Sequence, residues 1–341
     1  MKVYNNLDDI DFPFDTCVTV GNFDGVHKGH QTLIKKAIEY SKENDLKSVV
    51  FTFSNHPVNF FKPGYVKNVI SHKEKCEILE RMGVDIYISI PFDESMTQIT
   101  AEDYVNKILI EKLHVKKMVI GHDFSFARKR EGNPELLREM GKEKGFDVEV
   151  VNPVVIDGRR VSSTDIRKAI AEGNVAEAEH LIGRYFAVEG TVVKGRQIGR
   201  TIGFPTANIQ YDNSMVIPGI GIYATLAVID GEVFCGATSI GTNPTVNGKF
   251  ISIETYVLDF DGNLYGKNMR IEFVEKLRDE KKFDSKEALK EQLMKDTKYV
   301  RENYVNVLKG MIEHSKDYNV QIKNIREYLN LKKSNYFLEQ D

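Results

Sequence analysis

The sequence lacks the marks of several protein classes. No apolar run in its 341 residues approaches the roughly 18 that a membrane-spanning helix needs, so no membrane span is expected. Its opening, MKVYNNLDDIDFPF, has neither the basic start nor the apolar stretch of a secretory signal. Cysteine is scarce: Cys17, Cys76 and Cys235 are odd in number, far apart and in no metal-ligand spacing. They read as reduced, buried thiols without a catalytic role, which fits a cytoplasmic protein. An excess of one charge is missing too. The 47 Lys and Arg nearly balance the 50 Asp and Glu, which argues against a nucleic-acid partner. There is no internal repeat and no low-complexity linker. What remains is a soluble globular composition, in a chain long enough for about two domains.

Two patterns divide the chain. From residue 16 to about 184, short apolar runs alternate with amphipathic segments. TCVTVGNF, LKSVVFTF, VDIYISI, KKMVIGH and FDVEVV are continuous and β-branched, as buried parallel strands are. Ser71 with Glu74, and Thr100 with Asp103, have capping-box spacing at helix starts, and Gly83 closes the first of these helices. Five strand–helix alternations imply a parallel, Rossmann-like sheet with helices on both faces. Such sheets bind ligands beyond the carboxyl ends of their strands.

After Gly183-Arg184 the pattern changes. EGTVVKG, IYATLAVIDGEVFCGATSI and ISIETYVLDFDGNLYGKNMRIEFV read as strands broken by tight turns. Asp230-Gly231 and Asp261-Gly262 are placed as hairpin turns that need positive φ. This half is an antiparallel barrel or sandwich. Asp284 with Glu287 then opens a helix with Leu289 and Leu293 on one face.

One constellation lies in Val20-Gly-Asn-Phe-Asp-Gly-Val-His-Lys-Gly-His-Gln31, where the first strand turns into the first helix. Gly21, Gly25 and Gly29 allow a tight turn and close approach to a ligand. Free N–H groups at the helix start form an anion site, and His27 and His30 can both face one phosphate there. A second piece, Val161-Ser-Ser-Thr-Asp-Ile-Arg167, opens a later helix. Ser162 and Asp165 make a capping box by spacing alone. Ser163, Thr164 and Arg167 are left over, and a cation in a first turn opposes the helix dipole unless an anion offsets it. Hydroxyls, amides and a guanidinium together make a phosphate clamp.

In the second half, Gly195-Arg-Gln-Ile-Gly-Arg-Thr-Ile-Gly-Phe-Pro-Thr-Ala-Asn208 contains no Walker loop. It reads as a glycine-rich loop leading into a strand. Thr206 and Asn208 point to the same face, with neutral oxygens that suit magnesium.

Together these residues resemble the bacterial bifunctional riboflavin kinase/FMN adenylyltransferase (FAD synthetase) family. The pattern G-x-F-D-G-x-H-x-G-H with S-S-T-x-I-R is similar to its flavin-specific nucleotidyltransferase half. The resemblance implies that His27, His30 and Arg167 are catalytic, and that Gly21, Asn22, Phe23, Gly29, Ser163 and Thr164 bind ATP phosphates. Phe53-Ser-Asn-His-Pro57 resembles the family's F-x-P-H-P turn, with Asn55 for proline. Gly121-His-Asp-Phe-Ser-Phe-Ala127 resembles its G-x-D-F-x-F-G, with Ala127 for glycine. They imply flavin contacts at His56 and Asp123.

G-R-x-x-G-F-P-T-A-N is similar to the riboflavin kinase signature. It implies that Gly195, Arg196, Gly199, Thr206 and Asn208 hold ATP, the last two with Mg²⁺. Glu254, by itself a surface glutamate on a strand, corresponds to the family's general base. Tyr256 stands where many members have histidine, and Arg278 is either a flavin- or phosphate-side contact, as the resemblance implies, or a plain helix-flanking charge.

The resemblance implies an α/β nucleotidyltransferase domain over 1–184 and a β-barrel kinase domain over 185–305, with a helix after the barrel. The substrates are riboflavin, FMN and ATP. Residues 306–341 read as a helical extension, since Val300, Tyr304, Leu308 and Ile312 continue one stripe. Two other readings stand beside this one: a chain with one live module, and a flavin-sensing regulator.

Overall fold

The computed structural model describes residues 1–195, 197–245 and 248–305. The expectations for Arg196 and for residues 306–341, including Leu308 and Ile312, lie outside the described residues. The chain forms two compact units. One is Met1–Arg167 with Leu181–Gly183, the other Lys168–His180 with the described residues from Arg184 on.

The first unit is built on β1 (Lys2–Tyr4), β2 (Thr16–Val20), β3 (Lys47–Phe53), β4 (Ile86–Ile90), β5 (Val115–Gly121) and β6 (Asp147–Val151). All pairs are parallel, in the order β1-β4-β3-β2-β5-β6. The five expected strands are present. β1 was not expected, because three residues are too few to show a period. Alternate side chains feed two cores. Cys17 and Val119 pack with Ala37 of helix Lys28–Glu43, while Val18, Val20, Met118 and Ile120 join Leu109 and Leu137 from other helices. Both faces are therefore covered, as a parallel sheet requires.

Helix ends follow their local chemistry. Glu74 N–H donates to Ser71 Oγ at 3.1 Å and Asp103 N–H to Thr100 Oγ1 at 3.0 Å. Gly83 closes its helix at φ 89°. The small hairpin β7 (Val155–Ile156) and β8 (Arg159–Arg160) precedes helix Ser163–Ala171. Cys17 and Cys235 are buried free thiols, each pushed up to about 12 by burial. Cys76 is only half-buried, a departure from expectation. Among the described residues, no helix is long and apolar enough to cross a membrane.

The second unit is a closed antiparallel barrel, which decides between barrel and sandwich. Its strands are β9 (Phe186–Val193), β10 (Ala207–Tyr211), β11 (Gly221–Ile229), β12 (Glu232–Thr245), β13 (Gly248–Val257) and β14 (Asn268–Arg278). They close in the order β10-β13-β12-β11-β14-β9, with β9 back on β10. Asp230 and Gly231 form the expected two-residue turn, with φ 52° and 86°. Asp261-Gly262 does not form a hairpin. β13 and β14 are not neighbours in the barrel, so a longer connection joins them, with a positive φ of 57° at Asp259.

Helix Lys286–Val300 starts one residue later than expected. Its cap is Ser285, whose Oγ accepts Ala288 N–H at 3.1 Å, and not Asp284. Val300 packs with Ala224, Leu226, Cys235 and Ala237 on one side of the barrel wall.

Candidate active sites

β2 is the strand at which the winding order reverses: β3 and β4 follow on one side, β5 and β6 on the other. Ligands bind at the carboxyl ends of strands at such a switch point. The turn from β2 into helix Lys28–Glu43 occupies that place. It is a tense piece of backbone: Phe23 and Val26, neither of them glycine, sit at φ 44° and 38° beside Gly25 at 87°. Positive φ at a β-branched residue is costly, and such strain collects at functional sites.

His27 caps the helix, its Nδ1 accepting His30 N–H at 3.2 Å. That bond leaves Nε2 to carry the proton in the neutral ring. The two imidazoles stack, centroids 3.5 Å apart, and Phe23 lies edge-on to His30 at 5.2 Å. Gly29 is small for a reason, since a Cβ there would meet the His27 ring at 3.2 Å. Burial holds His30 well below its ordinary pKa, and His27, Lys75 and Arg167 push the same way. His30 is therefore neutral near pH 7, and its Nδ1 is buried without a hydrogen-bond partner among the described residues. A buried nitrogen left without a partner in a native fold is a rarity that a bound ligand would account for.

Arg167 comes into this site from helix Ser163–Ala171. Its Nη2 donates to Asp24 Oδ2 at 2.8 Å and its Nε to the Lys67 carbonyl at 2.8 Å. The anion that offsets this cation is thus partly internal: Asp24 supplies it. Asp24 is buried and also accepts N–H bonds from Val69 and Ile70. Ser163 Oγ donates to the Asp24 carbonyl at 2.8 Å, which ties clamp to turn, while Thr164 is exposed. Ser162 and Asp165 form the expected cap, with Asp165 N–H on Ser162 Oγ at 3.2 Å.

Beside the turn runs a polar cleft lined by Asn22, Asp24, Asn55, His56, His72 and Lys75, among others. His56 caps helix Pro57–Phe61, and burial followed by Arg167 lowers its pKa. Asp123 lies at the carboxyl end of β5, paired with Arg160 at 2.6 Å. Gly21 and Asn22 lead out of β2, and the Asn22 carbonyl accepts from Lys75 Nζ and Thr52 Oγ1.

Sequence reasoning missed Asp24 and Lys75 as site residues. Asp24 was inside the quoted motif without a role. Lys75 gave a signal: it stands on the apolar face of helix His72–Met82 with Ile78 and Leu79, where a charge is out of place.

In the barrel, strand pairing assembles the second set. Asn208 of β10 lies opposite Glu254 of β13, and Thr206 Oγ1 donates to Glu254 Oε2 at 3.3 Å. Thr206, Asn208, Glu254 and Tyr256 share the partly exposed face, while Ala207, Ile209, Ile253 and Thr255 point inward. Gly195 lies against Asn208 so closely that a Cβ would overlap its side chain, and Gly199 likewise meets the Phe204 carbonyl. Tyr256 packs against Phe204 at 5.2 Å. Arg278 is not in this group: it grips Asp296 of helix Lys286–Val300, at 3.1 and 2.7 Å. That cleft is lined by Glu275, Gln292, Lys295 and Tyr299 as well.

A parallel sheet with two stacked histidines at a helix start, followed by a closed barrel carrying a hydroxyl–amide–carboxylate set, defines a two-module chain with a polar residue set in each module. Residues 10–165 match the FAD synthetase family model and residues 182–304 the riboflavin kinase model. A bifunctional riboflavin kinase/FMN adenylyltransferase of Haemophilus influenzae is 38% identical over 82% of this chain and 91% of its own. Its Escherichia coli K12 counterpart is 38% identical over 85% and 93%. A Streptococcus pneumoniae crystal structure, described as a macrolide-efflux protein, superposes with TM-score 0.82 at 32% identity, covering 89% of this chain and 98% of that one. The chain belongs to the bifunctional riboflavin kinase/FMN adenylyltransferase family.

Proposed function

We propose that this chain makes FAD from riboflavin in two ATP-dependent steps. The observation that carries this reading is the presence of two complete residue sets in one chain: the His27–His30 stack with Arg167, and Thr206, Asn208 and Glu254. Family membership names the substrates. The module bounds 1–184 and 185–305 are supported by the family matches at 10–165 and 182–304. The free thiols fit the cytoplasm.

In the kinase module, Glu254 accepts the proton of the terminal ribityl hydroxyl while that oxygen attacks the γ-phosphate of ATP. The bond to the β-phosphate oxygen breaks, giving FMN and ADP. The Thr206 hydroxyl orients the Glu254 carboxylate through their bond. Mg²⁺ fits here: two neutral oxygens beside one carboxylate match a hard cation that keeps water and phosphate ligands. Thr206 and Asn208 would hold it, and it would neutralise phosphate charge.

In the adenylyltransferase module, a phosphate oxygen of FMN attacks the α-phosphate of a second ATP. The bond from that phosphorus to the β-phosphate oxygen breaks, giving FAD and pyrophosphate. No covalent enzyme intermediate is needed, so positioning and charge stabilisation carry the rate. His30, held neutral by burial, and His27 act as hydrogen-bond donors, and Arg167 brings positive charge. Gly21 to Phe23, Gly29, Ser163 and Thr164 shape the phosphate site, with His56 and Asp123 on the flavin side.

The test is incubation with riboflavin, Mg²⁺ and ATP, with the flavins separated over time. FMN appears first and FAD follows. His30→Ala stops at FMN, whereas Glu254→Ala fails on riboflavin yet adenylates supplied FMN. Normal FAD formation by His30→Ala would remove the transferase assignment.

A further inference from the structure

Lys75 has no part in the two-step scheme, yet it is buried, at 9% exposure, in the cleft beside the histidine turn. Among the described residues its Nζ makes one hydrogen bond, to the Asn22 carbonyl at 2.9 Å, and no ion pair. An ammonium carries three N–H donors, so two remain for the cleft. Asp24 does not satisfy them. Its carboxylate is taken up by the Val69 and Ile70 amides and by Arg167. With Asp24 matched by Arg167, and His30, His56 and His72 held below their ordinary pKa, Lys75 is the excess charge of this cleft. A buried charge without a counter-ion is costly unless a ligand supplies one.

We propose that Lys75 is a further substrate-binding residue of adenylyl transfer, whose ammonium receives the phosphate group of FMN. This rests on the adenylyltransferase reading above. The phosphates of ATP have the helix start, the histidines and Arg167. The attacking phosphate has to reach the α-phosphate from outside that set. The cleft shares Asn22 and Asp24 with the turn, and Lys75 is the cation that it offers to a dianion.

The test uses the full chain with Lys75→Met and Lys75→Arg, varying FMN and ATP separately in the adenylylation assay, with thermal melting as the check on folding. Lys75→Met is expected to raise KM for FMN about tenfold or more, the scale of a lost charge-assisted bond, with KM for ATP within about twofold. Lys75→Arg recovers most of the loss. An unchanged KM for FMN, or a fall in kcat alone, would overturn the proposal.

If Lys75→Met melts prematurely, the unmodified chain decides. Burial lowers the pKa of Lys75, against the opposing pull of Asp24 and Cys76. Its charge is therefore lost on the alkaline side earlier than for an ordinary lysine, and KM for FMN climbs there while KM for ATP does not. Of the other groups facing it, His30, His56 and His72 are held below their ordinary pKa and stay neutral there, whereas the Cys76 thiol, raised by burial, titrates on the same side, so Cys76→Ser must show the same climb. Parallel alkaline profiles for both substrates would contradict the role. Absence of FMN adenylylation by the unmodified chain would instead remove the functional reading beneath it.

Discussion

Asp24 shows how one buried side chain organises a site. Its carboxylate joins the strained turn, the segment at Val69 and Ile70, and the helix that carries Arg167. Asp24→Asn keeps the shape and removes the charge, leaving the Arg167 guanidinium without its partner. Breaking one side of a buried pair costs about 3–5 kcal/mol, and a displaced arginine lowers the rate on the order of 10²-fold. FMN adenylylation is expected to fall by that factor while riboflavin phosphorylation holds. Retained adenylylation would mean that Arg167 does not depend on Asp24. At this scale the sequence singles out His27, His30 and Arg167 by residue type, and the structure gathers them at one turn. Asp24 and Lys75 do not stand out in the sequence, because their contacts are with neighbours 45 and 53 residues away along the chain.

At the scale of elements, continuous β-branched runs identified the five main strands of the sheet, since burial on both faces leaves that imprint. Barrel order left none. Asp261-Gly262 has hairpin chemistry, yet β14 pairs with β11 and β9 because closure of the barrel overrides the local turn preference. Glu254 owes its place to the pairing of β13 with β10, a non-local contact that no local spacing encodes. Strands β11, β12 and β13 carry a buried hydroxyl chain, Thr225 to Thr238 to Thr255, with both gaps 2.8 Å. Thr238→Val keeps the shape and removes the middle hydroxyl. Each outer threonine then loses a partner, at about 1–3 kcal/mol for a buried group left unsatisfied. The kinase unit should melt earlier, and Thr238→Ser should restore most of the loss. An unchanged melting profile would show that the chain of hydroxyls is not a support for β13.

At the scale of the whole molecule, the change from continuous runs to turn-broken strands near residue 184 was readable, and so was the class of each half. The contact-defined division is less simple, with Lys168–His180 grouped with the barrel although the residues before and after it belong to the sheet. Sequence periodicity has no means of recording that exchange. The central claim is that one chain carries two separable phosphate-transfer sites. Mixing His30→Ala with Glu254→Ala tests it most directly. Neither variant alone makes FAD from riboflavin and ATP. The mixture makes it, because FMN released by the first is adenylated by the second. A mixture that forms no FAD, or a Glu254→Ala chain that forms it unaided, would contradict the account.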